Sequence, residues 1–251
     1  MNDLSGKHIL VTGASSGIGK ETAVSCSRCG AKVTLIARRE AELEKTIHEL
    51  SGNGHSYYTA DLTELDTIEA LIKKIVSENG SIDGLAYCAG VSSNRPISML
   101  PYEKIHEVMI INFYGYVEMV RAITKKGRYN CGTSIVSVSS VAAVCGNPAK
   151  TAYSASKAAM NGAMRCLASE LAKKTIRCNT VLPGLINTKM YQAYHANNGN
   201  VADNDADFSD RQFLGIGEAK DVANAIIFLL SDDSRLITGV ELPVDGGYSS
   251  C

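Results

Sequence analysis

His8-Ile9-Leu10-Val11-Thr12-Gly13-Ala14-Ser15-Ser16-Gly17-Ile18-Gly19 is a largely apolar run that delivers three glycines into a helix-forming stretch, Lys20 to Cys29. Glycine permits a tight turn and the close approach of backbone to a ligand. The unpaired N–H groups and the dipole at a helix N-terminus attract an anion such as a pyrophosphate. The spacing is G-x-x-x-G-x-G rather than the dinucleotide-binding G-x-G-x-x-G. A structural turn would explain the glycines alone equally well. Their place after the first strand of an alternating chain is what points to a phosphate cradle.

Outward from this unit, His8 to Thr12, Lys32 to Ala37, Ser56 to Ala60, Leu85 to Ala89, Ser134 to Ser139, Thr175 to Leu182 and Val240 to Val244 read as strands separated by helices. Most are apolar without alternation, as in strands covered on both faces, and the alternation of strand and helix implies a parallel sheet with right-handed crossovers. The expected fold is α/β, a doubly wound parallel sheet of about seven strands with helices on both faces. No linker or internal repeat divides the 251 residues, so one domain is expected over residues 1–251. Gly30 is suited to end the first helix in a left-handed turn. Asp61 or Thr63 is suited to cap the helix running to Asn79-Gly80, and Pro183-Gly184 to end the sixth strand. The stretch from Lys189 to Phe213 is rich in Asn and Asp and poor in aliphatic residues, which predicts a lid over the substrate; His195 in it could touch the substrate, although such a residue is more often solvated.

The chain is 45% hydrophobic and 20% charged, with a formal net charge of −1, which supplies a large core and argues against nucleic-acid or membrane-surface binding. A small molecule is the expected partner. No apolar run approaches the ~18 residues of a membrane span, and Met1 to Lys7 lacks the pattern of a secretion signal. A cytoplasmic location is therefore expected. Eight cysteines lie without repeated spacing and read as reduced thiols. Cys26 and Cys29 form a C-x-x-C pair, but no second pair completes a metal site, so they read as small core residues and no metal is expected.

The second strand ends at Arg38-Arg39, where an NAD-binding fold would place Asp or Glu against the ribose 2′-hydroxyl. Two guanidinium groups suit a 2′-phosphate instead, although both could pair with Glu40 or Glu42 on the surface. NADP(H) is thus favoured, with NAD(H) as the alternative. Further along, Tyr153 and Lys157 stand four residues apart at the start of an Ala-rich helix and share a helix face. A tyrosine titrates near ~10, and a neighbouring ammonium favours its phenolate, which suits proton exchange at neutral pH.

The glycine pattern, Asp61, Ala89-Gly90, Asn112, Ser140, Tyr153 with Lys157, Pro183-Gly184 and Val244-Asp245-Gly246-Gly247 together resemble the short-chain dehydrogenase/reductase family over essentially the whole chain. The resemblance implies a Rossmann-like domain and a catalytic set of Asn112, Ser140, Tyr153 and Lys157. In it, Ser140 holds the substrate oxygen and Tyr153 transfers the proton. Lys157 lowers the tyrosine pKa and binds the cofactor ribose, and Asn112 keeps a water that joins Lys157 to solvent. The family position of the serine, thirteen before the tyrosine, selects Ser140 over Ser139.

It further implies a cofactor site made of Gly13, Ser15, Ser16, Gly17, Ile18, Gly19, Arg38, Arg39, Asp61, Leu62, Cys88, Ala89, Gly90, Tyr153, Lys157, Pro183, Gly184, Ile186 and Thr188. One departure is Tyr87-Cys88-Ala89-Gly90, where the family commonly has Asn-Asn-Ala-Gly. The expected activity is hydride transfer between NADP(H) and a carbonyl or secondary alcohol, as in the ketoacyl reductases. The alternatives are oxidation of a sugar, polyol or hydroxysteroid alcohol, and a dinucleotide-binding regulator without turnover. A homo-oligomer, tetramer or dimer, is implied. Arg121, Lys125, Lys126, Arg128, Lys173 and Lys174 lie where such reductases meet an acyl carrier protein, though cations at helix C-termini also complement the dipole.

Overall fold

The glycine-linked strand lies inside the sheet, third from one edge. In the computed structural model, which describes residues 2–192 and 211–250, β1 (His8–Thr12) pairs in parallel with β2 (Lys32–Ala37) on one side and β4 (Ile82–Tyr87) on the other. Beyond β2 lies β3 (Ser56–Thr59), and beyond β4 follow β5 (Tyr129–Val138), β6 (Arg177–Pro183) and β9 (Glu241–Val244). The seven-stranded order is β3-β2-β1-β4-β5-β6-β9, so the order reverses between β1 and β4. Ligands of open α/β sheets bind outside the C-terminal ends of the strands at such a switch point. A two-stranded ladder joins β7 (Ile186–Asn187) to β8 (Gly217–Glu218).

Both faces of the sheet are buried along its inner strands. Ile9 and Val11 pack with Ala23 and Cys26 of α1 (Gly17–Arg28) and with Val222 and Ile226 of α7 (Ala219–Leu230). Leu10, one residue out of phase, belongs to the opposite core with Ile68, Ile72 and Ile75 of α3 (Leu65–Asn79), Met119 of α5 (Gly115–Ile123) and Met160 and Met164 of α6 (Thr151–Leu171). Alternate side chains thus enter different cores, which is why the strands read as continuous apolar runs. Burial of each such aliphatic chain contributes about 1.5–3 kcal/mol. Cys26 is part of this packing, and desolvation pushes its thiol pKa up.

Several boundaries differ from the sequence expectation for local reasons. β4 runs from Ile82 to Tyr87 and not to Ala89, because the Cys88 and Ala89 N–H groups both donate to Thr12 Oγ1, at 3.1 Å each, instead of to the ladder. β5 begins earlier, at Tyr129, with a register irregularity opposite Ile82 and Gly84. β6 begins at Arg177, since Thr175 adopts φ 57° at the end of the preceding turn. Gly30 takes φ 88° after α1, as expected. Neither Asp61 nor Thr63 caps α3. Glu64 holds that position, while Asp61 Oδ1 accepts from Thr63 N and Oγ1 in a turn of its own. Most of the lid predicted over Lys189 to Phe213, with His195, lies outside the described residues; residues 189–192 are helical.

Candidate active site

The phosphate loop is shaped by contacts that only glycine allows. A Cβ on Gly13 would lie 3.0 Å from the Cys88 and Ala89 backbone, and one on Gly19 would lie 2.4 Å from the Gly13 carbonyl oxygen. Gly17 opens α1 at φ 55°, and Ser16 at the N-cap makes no side-chain cap bond. The first-turn N–H groups of α1 therefore face the groove without a side-chain acceptor, the arrangement a phosphate fills. Arg39 reaches back across the loop, its Nη2 donating to Ser15 Oγ at 2.9 Å and Ser16 Oγ at 3.0 Å. Arg38 is exposed and stands 3.8 Å from Asp61. Burial raises the Asp61 carboxyl pKa, but bonds from Thr63 and the Arg38 charge outweigh it and hold the group below its usual value.

A groove of 940 Å³ runs over this loop, lined by every expected glycine-loop residue, Arg38, Arg39, Leu62, Cys88, Ala89, Gly90 and Thr188. It adjoins a cavity of 240 Å³ that holds Ser140, Tyr153, Lys157, Pro183, Gly184 and Ile186. Cys88, Gly90 and Thr188 line both. Asp61 and Asn112, two expected site residues, line neither.

Tyr153 and Lys157 occupy the first two turns of α6, which begins at Thr151. Burial pushes the Tyr153 phenol pKa up, opposed by its hydrogen bond with Ser140. Lys157 is buried, donates from Nζ to the Val138 carbonyl at 2.7 Å, and lies 5.8 Å from the centre of the Tyr153 ring. Desolvation lowers its pKa to about 8. Ser140 follows β5, where its Oγ accepts from Ala142 N at 3.1 Å. The rival Ser139 donates its hydroxyl to the Lys157 carbonyl at 3.3 Å and so anchors α6 to β5.

Asn112 sits in a π-helical turn, Ile110–Tyr114, between α4 (Tyr102–Met109) and α5. Such turns recur at functional sites. Its Oδ1 accepts from Val91 N at 2.8 Å, while Nδ2 donates to Val91 O at 3.0 Å and Ser156 Oγ at 2.9 Å. The side chain thus ties the segment after β4 to the helix that carries Lys157.

Residues that sequence reasoning missed line the cavity or brace its wall. Gln212 pins the segment after β6, accepting from Leu185 N at 2.8 Å and donating to Leu185 O at 3.0 Å. Tyr248 is buried and donates to Asn147 Oδ1 at 2.9 Å. Lys150 lies 5.6 Å from the Tyr153 ring centre and donates to Ser92 Oγ at 3.2 Å. Ala149, just before it, is held at φ 60°, a left-handed conformation costing about 1–3 kcal/mol away from glycine. Only Tyr248, next to Val244-Asp245-Gly246-Gly247, carried a sequence signal, its place beside a family motif.

A family model described as Enoyl-(Acyl carrier protein) reductase matches residues 13–249. The chain is 35% identical to the L-xylulose reductase of Caenorhabditis elegans, covering 99% of this chain and 98% of that protein. It is 34% identical to a 3-oxoacyl-(acyl-carrier-protein) reductase of Thermotoga maritima, with 97% and 98% covered. Among solved structures, a short-chain type dehydrogenase/reductase from Mycobacterium marinum superposes with a TM-score of 0.89 at 29% identity, over 100% of this chain and 98% of that one. Levodione reductase gives 0.90 at 26% identity, over 98% and 99%. With a seven-stranded Rossmann-like sheet and matches over nearly its whole length, the chain belongs to the short-chain dehydrogenase/reductase family and is an oxidoreductase acting on CH–OH and C=O groups.

Proposed function

We propose that the protein reduces a small carbonyl compound at the expense of NADPH, with Asn112, Ser140, Tyr153 and Lys157 as its working residues. The observation that carries this reading is the shared wall of groove and cavity. A dinucleotide lying over the glycine loop runs toward Cys88, Gly90 and Thr188, and so toward the phenol of Tyr153. Arg39, bonded to Ser15 and Ser16, and Arg38 beside Asp61 would meet the 2′-phosphate, which supports NADP(H) over NAD(H).

When bound, the nicotinamide supplies the hydride. Ser140 Oγ holds the carbonyl oxygen as charge develops on it, and Tyr153 Oη delivers the proton. The Lys157 ammonium favours the phenolate left behind, against the burial that disfavours it. Asn112 keeps Val91 and Ser156 in place beside that lysine.

The cationic cluster at the C-terminal end of α5 favours a free small molecule over a carrier-bound one. Arg121, Lys125 and Arg128 all pair with Glu69, whose carboxyl is held at about 2, chiefly by Lys125. Glu69, together with Glu118 on Arg121, thus compensates two of these three charges within the fold. Oxidation of a sugar is the second reading, favoured by similarity to an L-rhamnose 1-dehydrogenase of Sphingomonas at 33% identity. A homo-oligomer agrees with the small exposed side chains of Ala155 and Ala158 on the outer face of α6. NADPH absorbance with a panel of ketones, ketoses and ketoacyl thioesters tests the function. Reduction of none of them by a protein that binds NADPH would overturn it.

A further inference from the structure

Leu185 lies in the gap between the large sheet and the small β7–β8 ladder, and a side chain bridges that gap. Pro183 is still paired with Val244, and the Gly184 N–H donates to the Val244 carbonyl at 3.1 Å. The next ladder starts at Ile186, opposite Gly217. Between the two, the carboxamide of Gln212 takes the place of a strand. Its Oε1 accepts from Leu185 N at 2.8 Å and its Nε2 donates to Leu185 O at 3.0 Å, the two-bond exchange of a paired strand residue. Nε2 also donates to Gly215 O at 2.6 Å, and Gly215 N returns a bond to the Gln212 carbonyl at 2.8 Å. Two glycines confine the group. A Cβ on Gly184 would lie 2.3 Å from Oε1, and one on Gly246, at φ 56°, would lie 2.7 Å from Cγ. Phe213 is seated against Gly247 in the same way, 2.6 Å from a Cβ there.

We propose that Gln212 is a positioning residue for carbonyl reduction: it holds the 183–186 segment and the turn that carries Tyr248 so that hydride donor and carbonyl carbon meet beside Tyr153. This rests on the reading of the cavity as the site of that reaction. Pro183, Gly184, Leu185, Ile186 and Tyr248 line the same cavity as Tyr153, so a shift in either braced segment reshapes the space in which the two carbons approach. Gln212 itself lines neither cavity nor groove, is 4% exposed, and has its Nε2 bonds committed to Leu185 and Gly215. It therefore acts on the reaction through the backbone it holds. A misplacement of about 1 Å caused by a change away from the chemistry can cost on the order of a hundredfold in rate.

Two variants of the full chain test the proposal. Gln212→Met keeps the length of the side chain and removes its hydrogen bonds. Gln212→Glu keeps the acceptor for Leu185 N and can donate to a carbonyl only when protonated. Turnover is followed with NADPH and the carbonyl that the parent reduces fastest, from a panel that includes methyl acetoacetate and dihydroxyacetone. Rates are expressed per NADPH-binding site, counted by fluorescence titration, so that unfolded chains drop out. In Gln212→Met, kcat per site should fall about tenfold or more, with the pH dependence of the parent retained and a larger isotope effect from NADPH deuterated at C4. In Gln212→Glu, the rate relative to the parent should rise as pH falls. Parental kcat per site in both variants, or activity lost only in step with binding sites, would leave Gln212 a scaffold residue and overturn the proposal. Hydrogen exchange at the Leu185 amide reads the brace without turnover. Its protection should drop in Gln212→Met, and equal protection in variant and parent overturns the brace. A parent that reduces none of the panel, with Leu185 less protected in the variant, would remove the reductase reading and keep the brace.

Discussion

Gly90 separates Asn112 from Lys157 so narrowly that a Cβ on it would lie 3.0 Å from Asn112 Oδ1 and 3.3 Å from Lys157 Nζ. Gly90→Ala therefore has to displace the lysine or the amide that ties Val91 to Ser156. We expect a fall in kcat of about tenfold or more, one ångström-scale misplacement being enough for that, with a small change in Tm. Full activity in steady-state assays would show that the lysine has room to move.

Tyr153→Phe should remove turnover, by the ~10²–10⁴-fold typical of a lost general acid, and leave NADPH binding largely intact. Lys157→Met should lower turnover and weaken NADPH together if, as proposed, one ammonium serves both phenol and ribose. Fluorescence titration alongside rates separates the two. A Tyr153→Phe variant retaining more than about a tenth of the parent rate would assign the proton to another group.

Of the two adjacent arginines, Arg39 lies on the loop serines and Arg38 on Asp61. Arg39→Ala should weaken NADPH by about ten- to a hundredfold, the worth of a charge-assisted contact of ~1.5–3 kcal/mol, and should affect NADH much less. Arg38→Ala should show the same selectivity and also release Asp61 toward an ordinary carboxyl pKa. Equal weakening of both cofactors by both variants would remove the 2′-phosphate assignment.

His8 supplies a pH dependence far from the site. It is 4% exposed, its Nδ1 faces the Gly80 and Ser81 carbonyls at 3.2 Å each, and Nε2 is 2.8 Å from Thr34 Oγ1. Burial lowers its pKa below 6.5. The unfolded chain takes up that proton first, so this contribution is complete above pH 6.5 and declines as pH falls from there through the folded value. Tm measured from pH 8 to pH 5 should drop on the acid side, and His8→Gln should flatten that part of the curve. An unchanged acid slope in His8→Gln would put the loss elsewhere.

The parts of the fold and site that sequence made legible are those whose geometry is local. Tyr153 and Lys157 share a helix face by spacing, Ser140 closes the strand before them, and Gly13 to Gly19 bend within one turn. Which of Arg38 and Arg39 turns inward was not legible, because it depends on how the chain leaves β2 for α2 (Glu40–His48). Gln212, Asn147 and Lys150 were not legible for a different reason. They are polar residues in loops without periodicity, and partners far along the chain, such as Tyr248 at a separation of 101, fix their positions. β4 ends two residues short of the sequence expectation because a side-chain oxygen, Thr12 Oγ1, takes the Cys88 and Ala89 N–H groups, a competition no propensity encodes.

That single hydroxyl also joins remote parts of the chain. It closes contacts across 76 and 77 residues of chain, so the crevice between β1 and β4 exists only after two sequentially remote segments have docked. A dinucleotide able to recognise the assembled crevice is blind to every earlier folding intermediate, and it stabilises the finished protein by mass action in proportion to ln(1 + [L]/Kd). The stability of the folded chain should then rise with cofactor concentration, apart from any reaction it performs.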